Sequence, residues 1–338
     1  MITIYDIAKE CGCSPATVSK VFNNTGNISA QKRREILSAA ERMGYVPNVA
    51  ARSLVNSKSN MVGILLFVDK ALGLRHELFA EILNAFRIRM ENCGYEVLLI
   101  SEEAKLWQGD LLRHCKAMRL DGVFCLSCDY DSPAVKKLID GGIPVVGFEV
   151  PYENVSSVES KNYESAKKLT EYFLSLGHKR IAFVSGTDTF ITRERIRGYR
   201  DALMQAGLPP DDLLQRCGYF SKDEGVIATR LLMSCGKKCT AALYPDDFTA
   251  IAGMRELKKY GISVPDDLSI AGFDGVFLGR MVTPQLTTVV QDAQKIGKVA
   301  ADMLLDKIEG RETEPRTVRL DTELFIGESS IPFSKTEE

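Results

Sequence analysis

Charged side chains follow several apolar runs of this chain, at the point where each run ends. Glu149 comes directly after PVVGF, Asp246 after AALYP and Asp274 after LSIAGF. Phe220 follows RCGY, and Arg195 lies in the stretch RERIRGY. Carboxylates accept and arginine donates hydrogen bonds to hydroxyl groups, while an aromatic ring can cover an apolar face. Together these residue types fit a polyhydroxylated ligand.

Strands and helices must bring these residues together, and the pattern predicts such elements from Met61 onward. Near-continuous apolar runs such as MVGILLFV and GVFCLS alternate with amphipathic stretches. Helices are predicted over 77–93, 106–118, 192–206, 222–234 and 247–260. Apolar strands of this kind form parallel sheets covered on both faces. A break near residues 156–162 predicts two doubly wound subdomains, with ligands bound at the carboxyl ends of the strands.

Each of these acids also has a simple structural interpretation. A carboxylate after a strand can cap the next helix or remain a solvated loop charge, and Asp247 in particular can be the N-cap of its helix. The sequence alone leaves this alternative open for every acid.

Composition places the chain among globular proteins of the cytoplasm. It has 338 residues, of which 45% are apolar, and no apolar run approaches 18 residues. The N-terminus has no signal-peptide pattern. Nine cysteines suit reduced thiols, and the Cys125/Cys128 pair lies in an apolar run typical of a core. Three histidines without ligand spacing predict no metal site.

The net charge of −2 conceals a basic N-terminal segment. Through Lys58 there are eight basic and four acidic residues, so this segment carries +4 and the remainder −6. A basic segment on an acidic body predicts that the segment meets a polyanion.

The first 46 residues predict three helices. Thr3 and Asp6 form a T-x-x-D start signal, and Ser14 with Pro15 forms a second one. A turn with Gly12 joins these two helices, and a third runs from near Ser29 to Gly44. Two helices joined by a short glycine turn are typical of a helix-turn-helix. The basic run 32–34 is most simply a solvated helix face.

Mostly short side chains face outward on the second helix. Short side chains allow a helix to approach the floor of the DNA major groove closely. Ala16 can touch a thymine methyl, and Lys20 can reach guanine O6 and N7. Pro15 and Ser19 also face outward on this helix. Polar groups suited to phosphates surround it: Thr3, Tyr5, Ser14, Thr17, Ser19 and Asn23. A three-helix bundle that binds protein, or nothing, is the alternative.

The stretch PNVAARSLVNSKS, residues 47–59, predicts a helix of about two turns capped by Asn48. Isolated helices shorter than about 12 residues are marginal in water. Such a helix needs an external contact, and a plain linker is the alternative.

The quoted motifs together resemble the lactose/galactose repressor family of bacterial transcription regulators. DIAKECGCSPATVSKVFNN and GYVPNVAARSL carry the resemblance in the first 54 residues. GYEVLLIS, LDGVFCLS, IPVVGF, LGHKRIAFVSG, RIRGY, VPDDLSIAGFD and TPQLTTVVQD extend it over nearly all of the chain.

The resemblance implies roles for individual residues. The short segment becomes a hinge helix that folds when two copies meet in the minor groove, where Leu54 wedges between base steps. Asn48 and Ala51 join it as DNA contacts. The effector-binding residues implied are Phe79, Glu149, Arg195, Phe220, Asp246 and Asp274.

Three positions depart from the family pattern. Glu149 stands where many relatives have Asp, Asp246 where they have Asn, and Gly275 where they have a second Asp. The extra acid at 246 leaves room for an amino sugar or another cation.

We therefore expect an α/β chain with a helix-turn-helix head over 1–46, a hinge over 47–60, and an effector-binding and dimerisation domain over 61–338. Within that domain the resemblance to periplasmic sugar-binding proteins implies an N-subdomain over 61–160 and 290–318. The C-subdomain then covers 161–289 and 319–330.

The function expected is that of a ligand-responsive transcriptional repressor. A homodimer binds a near-palindromic double-stranded operator, and a small effector, a sugar or sugar derivative, controls it. No cofactor, catalytic residue or membrane partner is expected. A cytosolic or transport-linked sugar receptor is the alternative, which the basic head disfavours. An α/β enzyme is a second, but no P-loop, G-x-S-x-G or G-x-G-x-x-G motif is present.

Overall fold

The computed structural model describes residues 2–22, 25–46, 58–66, 73–102, 105–210, 213–216, 222–234 and 239–334. Its internal contacts divide the chain into two units, Met1–Asn60 and Met61–Glu338, which we call the head and the body. Each unit has its own buried core.

The described part of the head contains three helices, and their caps are local. The helices are α1 (Ile4–Glu10), α2 (Pro15–Phe22) and α3 (Ala30–Met43). The Thr3 backbone N–H and hydroxyl both donate to the Asp6 carboxylate at 2.8 Å. The Ser14 hydroxyl accepts from the Thr17 N–H at 3.1 Å. Gly44 ends α3 in the left-handed conformation, with φ 66°. These helix starts and stops confirm the predicted ones.

One apolar cluster holds the three helices together. Its buried members are Ile7, Ala8, Cys11, Val18, Val21, Ile36, Ala39 and Ala40. They recur at the helical spacing from which the helices were predicted, so the amphipathic pattern alone determines which faces meet.

The solvated face predicted for the basic run 32–34 holds for Arg34, which is exposed, but not for Lys32 and Arg33. The Lys32 ammonium donates to the carbonyl oxygen of Cys11, and Arg33 donates to that of Val21 at 3.2 Å. These carbonyls lie at the ends of α1 and α2, where helices leave acceptors unpaired. The two basic residues therefore cap both helices from α3.

The body alternates strands and helices along the chain. Its strands are β1 (Met61–Leu66), β2 (Glu96–Ile100), β3 (Gly122–Ser127), β4 (Val145–Phe148), β5 (Ser156–Ser160), β6 (Ile181–Ser185), β7 (Leu214–Arg216), β8 (Ala241–Leu243), β9 (Ser269–Asp274), β10 (Thr287–Val290), β11 (Thr317–Leu320) and β12 (Glu323–Phe325). Its helices are α4 (Glu77–Asn92), α5 (Leu111–Ala117), α6 (Pro133–Ile139), α7 (Asn162–Ser175), α8 (Phe190–Gln205), α9 (Lys222–Ser234), α10 (Asp247–Lys259), α11 (Phe277–Met281) and α12 (Ala293–Ile308).

These strands form two six-stranded sheets. The first has the order β11-β5-β4-β3-β1-β2 and is parallel throughout. The second has the order β12-β10-β9-β8-β6-β7 and is parallel except for its edge strand β12, which pairs antiparallel with β10. Apolar clusters cover both faces of each sheet. We call each sheet with its covering helices a lobe.

The structure corrects two predicted elements. The break predicted near residues 156–162 does mark the change from one sheet to the other, but it is not irregular chain, because Ser156–Ser160 form the buried strand β5 and Asn162 begins α7. The helix predicted over 106–118 begins only at Leu111. Gln108 and Gly109 have positive φ angles, 49° and 80°, which interrupt a helix there.

The chain passes between the lobes after β5, after β10 and after β11. The carboxyl ends of strands from both sheets therefore lie near these crossings, where the predicted ligand-binding residues are found.

Candidate functional site

The head presents the predicted DNA-binding residues at its surface. Thr3, Tyr5, Ser14, Ala16 and Lys20 are exposed, and Tyr5 retains 69% of its surface. Half-buried are Pro15, Thr17 and Ser19. Asn23 and the hinge residues Asn48, Ala51 and Leu54 lie outside the described residues.

Hydroxyl groups cluster at the N-terminus of α2. The Ser14 and Thr17 side-chain oxygens are 2.9 Å apart, and Ser14 also caps the helix. The N-terminal end of a helix carries partial positive charge and suits phosphate oxygens. This exposed end, with Ala16 and Lys20 beside it, is the candidate nucleic-acid interface.

In the body, polar side chains from both lobes meet near the chain crossings. We call this group the interlobe cluster; it consists of His76, Glu149, Asn162, Arg195, Asp246, Asp274 and Gln291.

Arg195, on α8, is the cation of the interlobe cluster and is 7% exposed. Its Nε donates to Asn162 Oδ1 and its Nη1 to the carbonyl oxygen of Pro245, both at 2.8 Å. Its guanidinium lies 3.5 Å from the centre of the Phe273 ring. Burial lowers the pKa of Arg195, and the carboxylates around it oppose that shift. The guanidinium is therefore held rigidly in one orientation.

A close helix crossing places Arg195 and Asn162 side by side. They lie on α8 and α7, and at Gly198 on α8 a Cβ atom would lie 2.2 Å from the carbonyl oxygen of Tyr163. Only glycine allows this approach of the two helix backbones.

Glu149 links the first lobe to this pair. It follows β4 in a left-handed backbone conformation, with φ 55°. Its Oε1 accepts from Asn162 Nδ2 at 2.8 Å, so Asn162 bridges Glu149 and Arg195. Burial raises the pKa of Glu149 to about 7, against the lowering effect of Arg195.

Asp274, the last residue of β9, is held from both lobes. Its backbone is also left-handed, with φ 106°. Its Oδ1 accepts from Gln291 Nε2 at 2.7 Å, and its Oδ2 lies 3.6 Å from Nε2 of His76. Gln291 in turn accepts from the Ser160 hydroxyl. Burial raises the pKa of Asp274 to about 6, although Arg195 lowers it.

The acids at 246 and 247 have structural partners. Asp246, not Asp247, is the N-cap of α10: its two oxygens accept from the Thr249 N–H at 2.8 Å and hydroxyl at 3.1 Å. Asp247 is fully buried and accepts from the Val276 N–H at 2.8 Å. Asp246 is 1% exposed, and its role as a partner for an amino group stays a prediction.

The two predicted aromatic contacts differ in outcome. Phe79 lies next to the interlobe cluster, with its ring centre 4.6 Å from that of His76. Phe220 lies outside the described residues.

Sequence reasoning missed His76, Asn162 and Gln291. Gln291 follows the strand TTVV directly, so the rule that placed Glu149 and Asp274 could also have found it. Asn162 has a weaker signal as the first residue of a helix. His76 precedes a helix, not a strand, and only the tertiary contact with Asp274 identifies it.

The remaining chemistry-bearing groups lie elsewhere. Within the described ranges, no group of His, Cys, Asp or Glu is arranged to hold a metal ion, and no two cysteines form a disulfide bond. In the same ranges no helix is both long and apolar enough to cross a bilayer.

Comparison with known proteins agrees with this architecture. Residues 3–48 match the family model of bacterial regulatory proteins of the lacI family, and residues 170–330 match that of a periplasmic binding protein-like domain. The HTH-type transcriptional regulator CelR of Thermobifida fusca is 30% identical over 97% of this chain and 98% of its own. Catabolite control protein A of Priestia megaterium is 33% identical over 92% and 94%.

Solved structures give the same picture. A complex of the transcriptional regulator CelR with cellobiose superimposes with a TM-score of 0.74 at 29% identity, over 97% of this chain and 100% of that one. The lac repressor dimer bound to operator and the anti-inducer ONPF has the same fold, with a TM-score of 0.85 at 24% identity over 98% and 99%. With relatives of this identity along their whole length, this chain belongs to the lacI family of bacterial regulatory proteins, ligand-responsive regulators of transcription that bind DNA.

Proposed function

We propose that this chain is a repressor that binds a near-palindromic operator as a homodimer and is controlled by a small effector at the interlobe cluster. The observation that carries this proposal is the hydrogen-bonded path from Glu149 in the first lobe through Asn162 to Arg195 in the second. A ligand that engages both ends of this path binds best at one separation of the lobes. It therefore shifts the lobe equilibrium and, by linkage, the operator affinity.

For the head, we propose that Ala16 and Lys20 read base edges while the hydroxyls of Thr3, Ser14, Thr17 and Ser19, with Tyr5, hold phosphates. The exposure of α2 supports this assignment. The hinge assignment of Asn48, Ala51 and Leu54 stays a prediction. A regulator of this kind acts in the cytoplasm, where the chromosome is.

For the effector, we propose a sugar. The relative CelR has been solved with cellobiose. The alternative function, a receptor without a DNA-binding role, does not explain the presence of the head, whose exposed α2 end suits phosphate contacts.

The test is a thermal shift of the full chain across a sugar panel, with Arg195→Lys as the variant. Lysine keeps the charge but cannot donate to Asn162 and Pro245 in the geometry of the guanidinium. We expect the sugar-dependent rise in melting temperature to disappear while sugar-free operator binding is kept.

Arg193→Lys is the matched control, since Arg193 lies on the same helix but is 62% exposed. It should preserve both properties. An unchanged sugar response in Arg195→Lys would contradict the proposed site.

A further inference from the structure

His76 stands out in the interlobe cluster because it is buried between the lobes and lacks one hydrogen bond. It directly precedes α4 and is 3% exposed. Its ring centre lies 4.6 Å from Phe79 of the first lobe and 5.6 Å from Phe248 of the second. The two phenyl rings restrict the orientation of the imidazole.

The two ring nitrogens have different surroundings. Nε2 is 3.6 Å from Asp274 Oδ2, whereas Nδ1 has no hydrogen-bond partner among the described residues. Burial lowers the pKa of His76, although Asp246 and Glu77 oppose this, so the ring is neutral near pH 7. A neutral imidazole carries one proton, and attraction to the Asp274 carboxylate 3.6 Å away favours Nε2 as its position. Nδ1 is then a buried acceptor without a donor.

An unpaired buried acceptor is unfavourable, and a ligand hydroxyl would satisfy it. A carboxylate or phosphate oxygen would not, because it offers no hydrogen. The difference between the ligand groups is whether they carry a hydrogen that can be donated to Nδ1.

The charges around His76 also favour a neutral ligand over an acidic one. Glu149, Asp246 and Asp274 surround the single guanidinium of Arg195, whose Nε and Nη1 already donate to the protein. An acidic ligand would meet these carboxylates, and the described residues of the cluster offer little free positive charge to offset them. A neutral polyol donates to carboxylates without repulsion.

This inference rests on the proposed effector role of the interlobe cluster. We propose that the cluster selects an uncharged polyhydroxylated ligand, one of whose hydroxyls donates to His76 Nδ1, and that it excludes acidic sugars such as hexuronates and sugar phosphates.

Matched sugar pairs test the ligand class on the full chain. Glucose and galactose are compared with their uronates and 6-phosphates, and cellobiose with cellobionate, by thermal shift and then calorimetry. We expect a neutral sugar to bind and its acidic counterpart to bind about 100-fold more weakly, as an unpaired charge in a desolvated site does. An acid that binds as tightly as its neutral partner overturns the inference.

The outcomes separate this inference from the proposed function. Acid binding that disappears in Arg195→Lys would keep the effector site and reject the ligand class. If no sugar of either kind raises the melting temperature, both proposals fail.

Variants at His76 test the hydrogen bond itself. Asparagine places an acceptor oxygen near the position of Nδ1, and leucine places none. His76→Leu should weaken binding of the neutral sugar about tenfold, and His76→Asn should restore most of it. Equal affinities of the two variants would overturn the role of Nδ1.

His114 supplies the matched control. It is also buried, packs on an aromatic ring (Trp107, 4.9 Å between centres) and has an Nδ1 without a partner in the described ranges. It lies on α5, between β2 and β3. His114→Leu should leave sugar affinity unchanged, so an equal loss in both leucine variants would mean that His76 acts only through stability.

Discussion

The head and the interlobe cluster place polar residues for function in opposite ways. In the head the polar groups are exposed, and their partners are three residues away, as in Thr3 with Asp6 and Ser14 with Thr17. In the cluster the side chains are mostly buried, and Arg195 has partners 33 and 50 residues away. A surface that reads DNA can be built from one helix, whereas a site that senses a ligand between lobes needs contacts across the fold.

The largest expected effect is the loss of stability when a buried side chain of the cluster is removed, compared with the removal of an exposed one. Arg195→Ala leaves Asn162 and the Pro245 carbonyl without their donor and the nearby carboxylates without their cation. We expect the free energy of unfolding of the body to fall by about 3 to 5 kcal/mol, measured by urea denaturation.

Arg193→Ala, which removes an exposed arginine paired with Asp188, should change the same free energy by less than about 0.5 kcal/mol. Similar losses in the two variants would remove the energetic distinction between surface and cluster.

The stabilities of the head and the body should also change in opposite directions with pH. Burial raises the pKa of Glu149 to about 7 and those of Asp246 and Asp274 to about 6. The folded body therefore binds more protons than the unfolded chain, so its stability should fall as pH rises from about 4 to 7. A carboxyl shifted by two units accounts for about 3 kcal/mol.

In the head, the hydrogen bonds from Thr3 lower the pKa of Asp6, so its contribution is instead lost as pH falls through that pKa. Urea denaturation at pH 5 and 7 measures the slope of the body, and denaturation of the head between about pH 5 and 2 measures that of Asp6. Glu149→Gln should flatten the slope of the body, and an unchanged slope would argue against its raised pKa.

A smaller effect is expected for base readout by the head. Lys20→Ala should weaken binding to a selected operator by about 2 kcal/mol, because the proposed contact to a base edge is lost. The sugar-dependent thermal shift should not change. Lys116→Ala, an exposed lysine of the body, serves as the control in gel-shift titrations. An equal loss in both variants would point to general electrostatics and not to readout.

The smallest expected effect distinguishes a serine that only caps a helix from one that also contacts a phosphate. Ser14 caps α2 and Ser29 caps α3, through the N–H groups of Thr17 and Lys32. Replacing either with alanine should cost the head about 1 kcal/mol of stability, measured by thermal unfolding. Only Ser14→Ala should also weaken operator binding beyond that loss, and identical operator affinities would reject Ser14 as a phosphate contact.

Periodicity and caps were sufficient to predict the three helices of the head and most strands of the body. Predictions failed where a tertiary contact competes with a local rule. The sequence predicted a solvated face for Lys32 and Arg33 because the carbonyl groups that accept from them lie on other helices, and the sequence does not show that contact. The sequence suggested Asp247 as the N-cap, but Asp246 is the residue that caps the helix. The cap position depends on which residue has extended backbone angles, and two adjacent aspartates do not show which one that is.

The sequence by itself determined the order of the elements and the family of the chain. It also determined which strand ends carry Glu149, Asp246 and Asp274. These features depend on apolar spacing and on residues adjacent in the chain. Only the tertiary structure decided that Asn162, Gln291 and His76 join them and that Asp246 is already occupied as a cap. The reason is physical: a buried polar group must find its partner wherever packing places one, and chain crossings bring those partners from distant segments.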